Sequence, residues 1–319
     1  MLIKSLKNNN PRSNLLFFLV ALILFITKLI NNKNFIELKF NHPIFKFHDL
    51  NLFLNPTLNI LLSFVFAVLL SIGFNNLILD RAVLKKNTVL PAVFFVVILS
   101  SFNFSYLWIT LFVILFIFNR LLSFYQKDRP YLELFDTGFL LGIGFLLTPT
   151  LIFFLPLLFF ANIIFGLYNW RSYIIPILGF LTPVLFLVVY LYLNNNLLVF
   201  YKYYLQTLSF SIPNIMFSYK QSIFLFGLIF LIVLSLFELF NWISIKGLRS
   251  RKSFFIFIIY IILVSLTFFI QKNLNYEYIV FTIFPVSIFL ANYFLYAKSE
   301  RLIELLFGLF LFSALYLQF

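Results

Sequence analysis

From residue 15 onward the chain is built of eleven apolar runs, at about 15–30, 58–79, 89–103, 106–122, 134–148, 150–168, 173–193, 221–243, 254–271, 278–296 and 302–318. Most have the length that crosses a hydrocarbon core roughly 30 Å thick. In lipid every backbone N–H and C=O must be paired within the protein, so runs of this kind become helices. The composition agrees: 63% of residues are hydrophobic and 10% are charged, against about 25% charged in a soluble domain. The expected fold is all-α, a polytopic transmembrane helical bundle of about 11 helices, with residues 1–319 forming a single membrane domain.

There is no cysteine, which excludes disulfides, thiolate metal sites and cysteine nucleophiles. A net charge of +13 would suggest nucleic acid in a soluble protein, but here the charge is spread over short loops without a basic face or stacking motif, and nucleic acid is not an expected partner. The positive charge instead sets orientation. With the N-terminus placed in the cytoplasm, 16 Lys and Arg fall in the inner segments. Seven fall outside: Lys28, Lys33, Lys39, Lys46, Lys202, Lys220 and Lys272. The bias predicts an N-terminus inside and, after eleven crossings, a C-terminus outside, in a cell inner (plasma) membrane. The run 15–30 is long for a signal-peptide core and no small-x-small cleavage pattern follows it, so it is expected as a retained first helix.

Two long loops, about 31–57 and 194–220, fall on the outer side. The first carries both histidines, His42 and His48, with Glu37, Lys39, Lys46 and Asp49. A carboxylate above the membrane suits a general base, and imidazole or ammonium groups suit a phosphate; the plainer reading is that any loop in water collects polar residues. Asp49 and Glu37 are the candidate catalytic acids. His42, His48, Lys39 and Lys46 are candidate phosphate ligands. The spacing matches no dedicated metal site, no cofactor is required, and a divalent cation is compatible with the acids and histidines. In the second loop Leu197, Phe200, Tyr201, Tyr204, Leu205 and Leu208 recur at helical spacing. This predicts an interfacial helix over 197–208, with Lys202 and Tyr204 available to a lipid headgroup. An aromatic belt is the competing reading.

Elsewhere the residues point to structure. Gly138 and Gly142 form a close-packing pattern. Asp136 is expected at the start of its helix, where an acid suits the dipole. Glu238 lies near the inner end of its run, within reach of the interface and of Lys246. No other Asp, Glu, Lys or Arg falls near a predicted midplane, which argues against an ion-coupled transporter or a translocator with a polar groove.

The segments NNLILDRAVLKKNTVLPAVFFVVILSS, FDTGFLLGIGFLLTPTLIFFLPLLFF and WRSYIIPILGFLTPVLFLVVYLYL resemble an uncharacterised bacterial family of multi-pass inner-membrane proteins. More distantly they are similar to the GT-C superfamily of membrane glycosyltransferases. That likeness implies a GT-C-like arrangement: a long first outer loop with a catalytic acid, tight hairpins joining helices three to four and five to six, and a second long outer loop after helix seven. It implies membrane lipids and a polyprenyl-phosphate-linked sugar as partners. Asp49 or Glu37 would then be the base, and His42, His48, Lys39 or Lys46 the groups that offset the phosphate. The adjacent acidic pair usual in that superfamily is absent, since Glu37 and Asp49 are separated, and GIGFLLTPT carries Thr148 and Pro149 where a lysine often sits. The alternative, from another class, is a non-catalytic membrane subunit or scaffold.

Overall fold

The computed structural model describes residues 2–31, 56–208, 214–215, 217–268, 273–274, 276–297 and 299–319. The chain forms α1 (Leu2–Leu6), α2 (Pro11–Ile30), α3 (Pro56–Asp80), α4 (Leu90–Ser100), α5 (Leu107–Leu121), α6 (Tyr131–Leu147), α7 (Leu155–Phe165), α8 (Trp170–Leu193), α9 (Leu197–Thr207), α10 (Tyr219–Ile243), α11 (Leu248–Phe268), α12 (Ile283–Tyr296) and α13 (Glu300–Gln318). Stretches of 3₁₀ helix at Pro149–Phe154 and Tyr276–Thr282 lead into α7 and α12. A parallel strand pair two residues long, β1 (Asn214–Ile215) and β2 (Asn273–Leu274), sets Asn214 opposite Asn273. The molecule is a helical bundle, and each of the eleven apolar runs is helical over most of its length.

Among the described residues seven helical segments are long and apolar enough to cross a membrane: 11–30, 57–80, 107–124, 170–193, 219–243, 248–268 and 276–296. Their outer faces are those of a protein in lipid. Phe186 on α8 and Phe226 on α10 are each 75% exposed, which would be costly in water and is neutral against acyl chains. The chain is an integral membrane protein of the multi-pass helical kind. α4 departs from the pattern, with 11 residues, all of them buried. At 1.5 Å per residue it is about 16 Å long, roughly half a hydrocarbon core, so it is a central strut shielded from lipid by its neighbours. Phe94 and Phe95 of α4 meet Phe294 and Phe284 of α12 at ring-centroid distances of 4.8 and 5.3 Å.

Contacts between helix ends sort the bundle into two ends. At one, the Lys28 side chain of α2 reaches the carbonyls that finish α4, Gln318 of α13 meets Thr27, and Tyr106 before α5 meets Tyr278 before α12. At the other, Thr88 bonds the carbonyl of Leu6, Arg81 bonds Asn119, and Arg249 and Ser250 reach the carbonyls of Asp80 and Val83. These groupings match the alternate loop sets counted from the sequence.

The closest helix approach is between α6 and α8. A Cβ added to Gly138 would lie 2.1 Å from the Pro176 carbonyl oxygen, one on Gly142 2.5 Å from the Phe180 carbonyl oxygen, and one on Gly179 2.4 Å from the Phe135 carbonyl oxygen. The Gly138–Gly142 pattern is thus used as expected, with Gly179 as its counterpart across the interface. Pro176 lies within α8 and, lacking an N–H, frees the carbonyl of Ser172. The buried Asn162 of α7 supplies the missing donor at 2.8 Å, the repair that a helix break in lipid requires.

Three local expectations are corrected. Asp136 does not begin its helix. α6 starts at Tyr131 with Glu133 in its first turn, where Glu133 bonds Lys127, while Asp136 pairs with Arg120 at 3.4 Å. The apolar run starts later than the helix because the first turn is polar. Glu238 accepts from Trp242 Nε1 at 2.7 Å rather than turning to Lys246, whose ammonium bonds Asn292 and lies 4.0 Å from the Phe254 ring centroid. The helix over 197–208 is present as α9, but its apolar stripe is divided. Tyr204 is buried, while Tyr201 and Leu205 are more than half exposed.

Candidate functional site

The site is best built from α4 outward. Because α4 is short and central, the carbonyls at its C-terminal end fall inside the bundle with no next turn to accept from. Lys28 comes down from α2 and donates to the Phe102 carbonyl at 2.5 Å and the Ser100 carbonyl at 3.3 Å. Gln318 adds its amide to Ser100 at 3.4 Å, and its oxygen accepts from Thr27 at 2.5 Å. A cation at this position also complements the negative end of the helix dipole. Lys28 is half-buried, as is Glu277, the carboxylate whose charge acts on it. Two of the three donors of the ammonium go to these two carbonyls.

Hydroxyls surround this pair. Tyr106 and Tyr278 share a hydrogen bond of 3.3 Å. Tyr276 is buried, stacks on Phe102 with ring centroids 4.8 Å apart, and its hydroxyl has no partner among the described residues. Tyr203 of α9 faces the same group: burial first, then Tyr278, pushes its phenol up to about 12. Burial and the Tyr278 hydroxyl raise Tyr106 further in the same direction. Both phenols therefore stay protonated at neutral pH. The result is one carboxylate, one ammonium and a set of neutral hydroxyls at a half-buried position, on the end of the bundle from which α2 leaves and where α9 lies. Such a set can hold a phosphate or a sugar by hydrogen bonds around one positive charge.

Glu37, Lys39, His42, Lys46, His48 and Asp49 lie outside the described residues. Lys202 and Tyr204 are described and are not brought together. Lys202 is exposed on α9. Tyr204 is turned inward against Phe145, with ring centroids 4.9 Å apart, and its hydroxyl donates to the Leu146 carbonyl at 2.9 Å. That bond gives the last turn of α6 a donor, so Tyr204 fastens α9 to the bundle. Sequence reasoning missed Lys28, Tyr106, Tyr276, Tyr278 and Glu277 as a group. Glu277 lies in a short turn late in the chain, and nothing in that turn signals that its charge acts on Lys28 of α2. Among the described residues no group of three or more His, Asp or Glu is placed to hold a metal.

No curated protein and no solved structure matches the chain. A protein-family model does, and it covers residues 1–319. Its description assigns no activity, in keeping with the expected resemblance to an uncharacterised family of multi-pass membrane proteins. The chain belongs to the family of unknown function DUF6427.

Proposed function

We propose that this protein is a membrane-embedded transferase of GT-C-like type, taking a sugar from a polyprenyl phosphate at the Lys28–Glu277 end, which the Lys and Arg bias assigns to the outer face. The observation that carries the reading is the convergence of Lys28, Glu277 and the Tyr106–Tyr278 pair at the end where the first long loop leaves α2. In the reaction a carboxylate takes the proton of the acceptor hydroxyl, and the acceptor oxygen forms a bond to the anomeric carbon. The bond between that carbon and the phosphate oxygen breaks, and its electron pair leaves on the phosphate. Asp49 is the preferred base, with Glu37 second. Lys39, His42, Lys46 and His48 are the cations that offset the leaving charge, and Lys28 adds a further positive charge.

A second reading is a non-catalytic membrane subunit or scaffold. It is favoured by the commitment of Lys28 to the carbonyls of α4, which is sufficient reason for a lysine at that position. Membranes containing the wild type, Asp49→Asn, Glu37→Gln or Glu277→Gln at equal protein level, given radiolabelled polyprenyl-phosphate sugar, separate the two. Loss of a general base lowers transfer about 10²–10⁴-fold, and this is expected for Asp49→Asn. If Glu37→Gln is inactive instead, the role moves to Glu37. Transfer by none of the proteins, with a clear defect in a deletion strain that every variant rescues, leaves the scaffold.

A further inference from the structure

The opposite end of the bundle gathers like charge. Arg81 follows α3, Arg120 lies in the last turn of α5 and Arg249 in the first turn of α11, and both Arg120 and Arg249 act electrostatically on Arg81. Arg81 and Arg249 are half-buried, and their hydrogen bonds go to neutral acceptors. Arg81 Nη2 donates to Asn119 Oδ1 at 2.9 Å, and Arg249 Nη2 to the main-chain oxygen of Asp80 at 3.5 Å. Arg249 also lies 5.6 Å from the Tyr125 ring centroid. The Nε donors of both arginines are buried and have no partner among the described residues.

The nearby carboxylates do not balance this. Asp136 is turned to Arg120 at 3.4 Å and Glu133 to Lys127. The Asp80 carboxylate acts on Arg81 from beyond ion-pair distance. Burial, followed by the Arg249 guanidinium, lowers the pKa of Arg81 from its ordinary value. Arg81 and Arg249 therefore repel one another while their hydrogen bonds reach neutral oxygens, and an anion shared between them would offset that repulsion. Guanidinium forks match phosphate oxygens in pairs, and basic pockets between helices at a membrane surface take phosphate headgroups.

We infer that Arg81 and Arg249, with Arg120 at the rim, form a binding site for a phosphate group, carried by an anionic lipid headgroup or free in solution. The site is independent of the transferase reading, since it lies at the other end of the bundle. Its test is native mass spectrometry of the full chain in uncharged detergent, with phosphatidylglycerol, phosphatidylcholine or inorganic phosphate added in turn. The wild type retains phosphatidylglycerol in preference to phosphatidylcholine. Retention falls about tenfold in Arg81→Gln/Arg249→Gln and is unchanged in Lys85→Gln/Lys86→Gln, whose charges lie in the same loop but are exposed. Arg249→Gln alone, which gives up one long hydrogen bond and a ring contact, provides the same reading if the double variant does not fold. Phosphate bound as tightly as the lipid identifies the free anion as the ligand, and lipid retained without phosphate binding identifies the headgroup. Equal retention of phosphatidylglycerol by wild type and arginine variants overturns the inference. So does a wild type that neither prefers phosphatidylglycerol over phosphatidylcholine nor binds phosphate.

Discussion

The two ends of the bundle handle positive charge in opposite ways. At one end Lys28 is drawn inward and bonded to the Ser100 and Phe102 carbonyls where α4 finishes, and the charge of Glu277 acts on it. At the other end arginines and lysines are many: Lys127 bonds Glu133, Arg120 pairs with Asp136, and Arg81 and Arg249 donate to neutral oxygens. Charge there is spread and redundant, as orientation in a membrane requires. Lys28 is a single cation held by main-chain oxygens, with the Glu277 charge acting on it from beyond ion-pair distance. Deleting charge should therefore cost much at the Lys28 end and little at the basic end.

The largest effect on the fold is expected from Lys28→Met. It leaves the Phe102 and Ser100 carbonyls with fewer donors and Glu277 without its opposite charge. Unsatisfied buried groups of this kind cost about 1–3 kcal/mol each, measurable as a lower midpoint of thermal unfolding in detergent. Lys86→Met, exposed at the basic end, should leave the midpoint where it is. Equal midpoints for the two variants would erase the contrast.

A smaller effect concerns the coupling of Lys28 with Glu277. Because the two opposite charges act on one another, Lys28→Met/Glu277→Gln should lose less stability than the two single changes added together. The coupling is expected at about 0.5–3 kcal/mol. Strict additivity in the cycle would show that the groups do not act on one another.

The last effect lies at the basic end and is read as a slope against pH. Burial lowers the Lys246 pKa from 10.5 to about 8. Between those values the unfolded chain holds a proton there that the folded chain does not, so stability rises as pH increases from about 8 to 10.5. Below pH 8 the folded ammonium is charged over the Phe254 ring and this increment is absent. Unfolding midpoints across that window should slope upward for the wild type and be flatter for Lys246→Met. Parallel profiles would place Lys246 in water.

Much of this architecture was legible in the chain. All eleven apolar runs are helical, because hydrophobic length is a property of consecutive residues. The helix at 197–208 was readable from its 3.6-residue spacing, and Gly138 with Gly142 from theirs. Three-dimensional neighbours were not readable in this way. The spacing of α9 could not say that Tyr204 would turn to Leu146 while Tyr201 stayed exposed. Pro176 gave notice of a freed carbonyl but not that Asn162 would meet it. Glu277 lies 249 positions from Lys28 by their numbers, and nothing local to either residue indicates the other. The candidate site was missed for that reason, since it is assembled from the ends of helices whose order around the bundle is set by packing.

The Lys and Arg bias assigns the basic end to the cytoplasm and the Lys28 end to the other side of the membrane. Reporter fusions after Lys252 and at Phe319 test this directly. A fluorescent protein should be bright after Lys252 and dark at Phe319, and alkaline phosphatase should be active at Phe319 and inactive after Lys252. A bright fluorescent fusion at Phe319, or phosphatase activity after Lys252, would contradict the assignment and remove the Lys28–Glu277 site from the outer face.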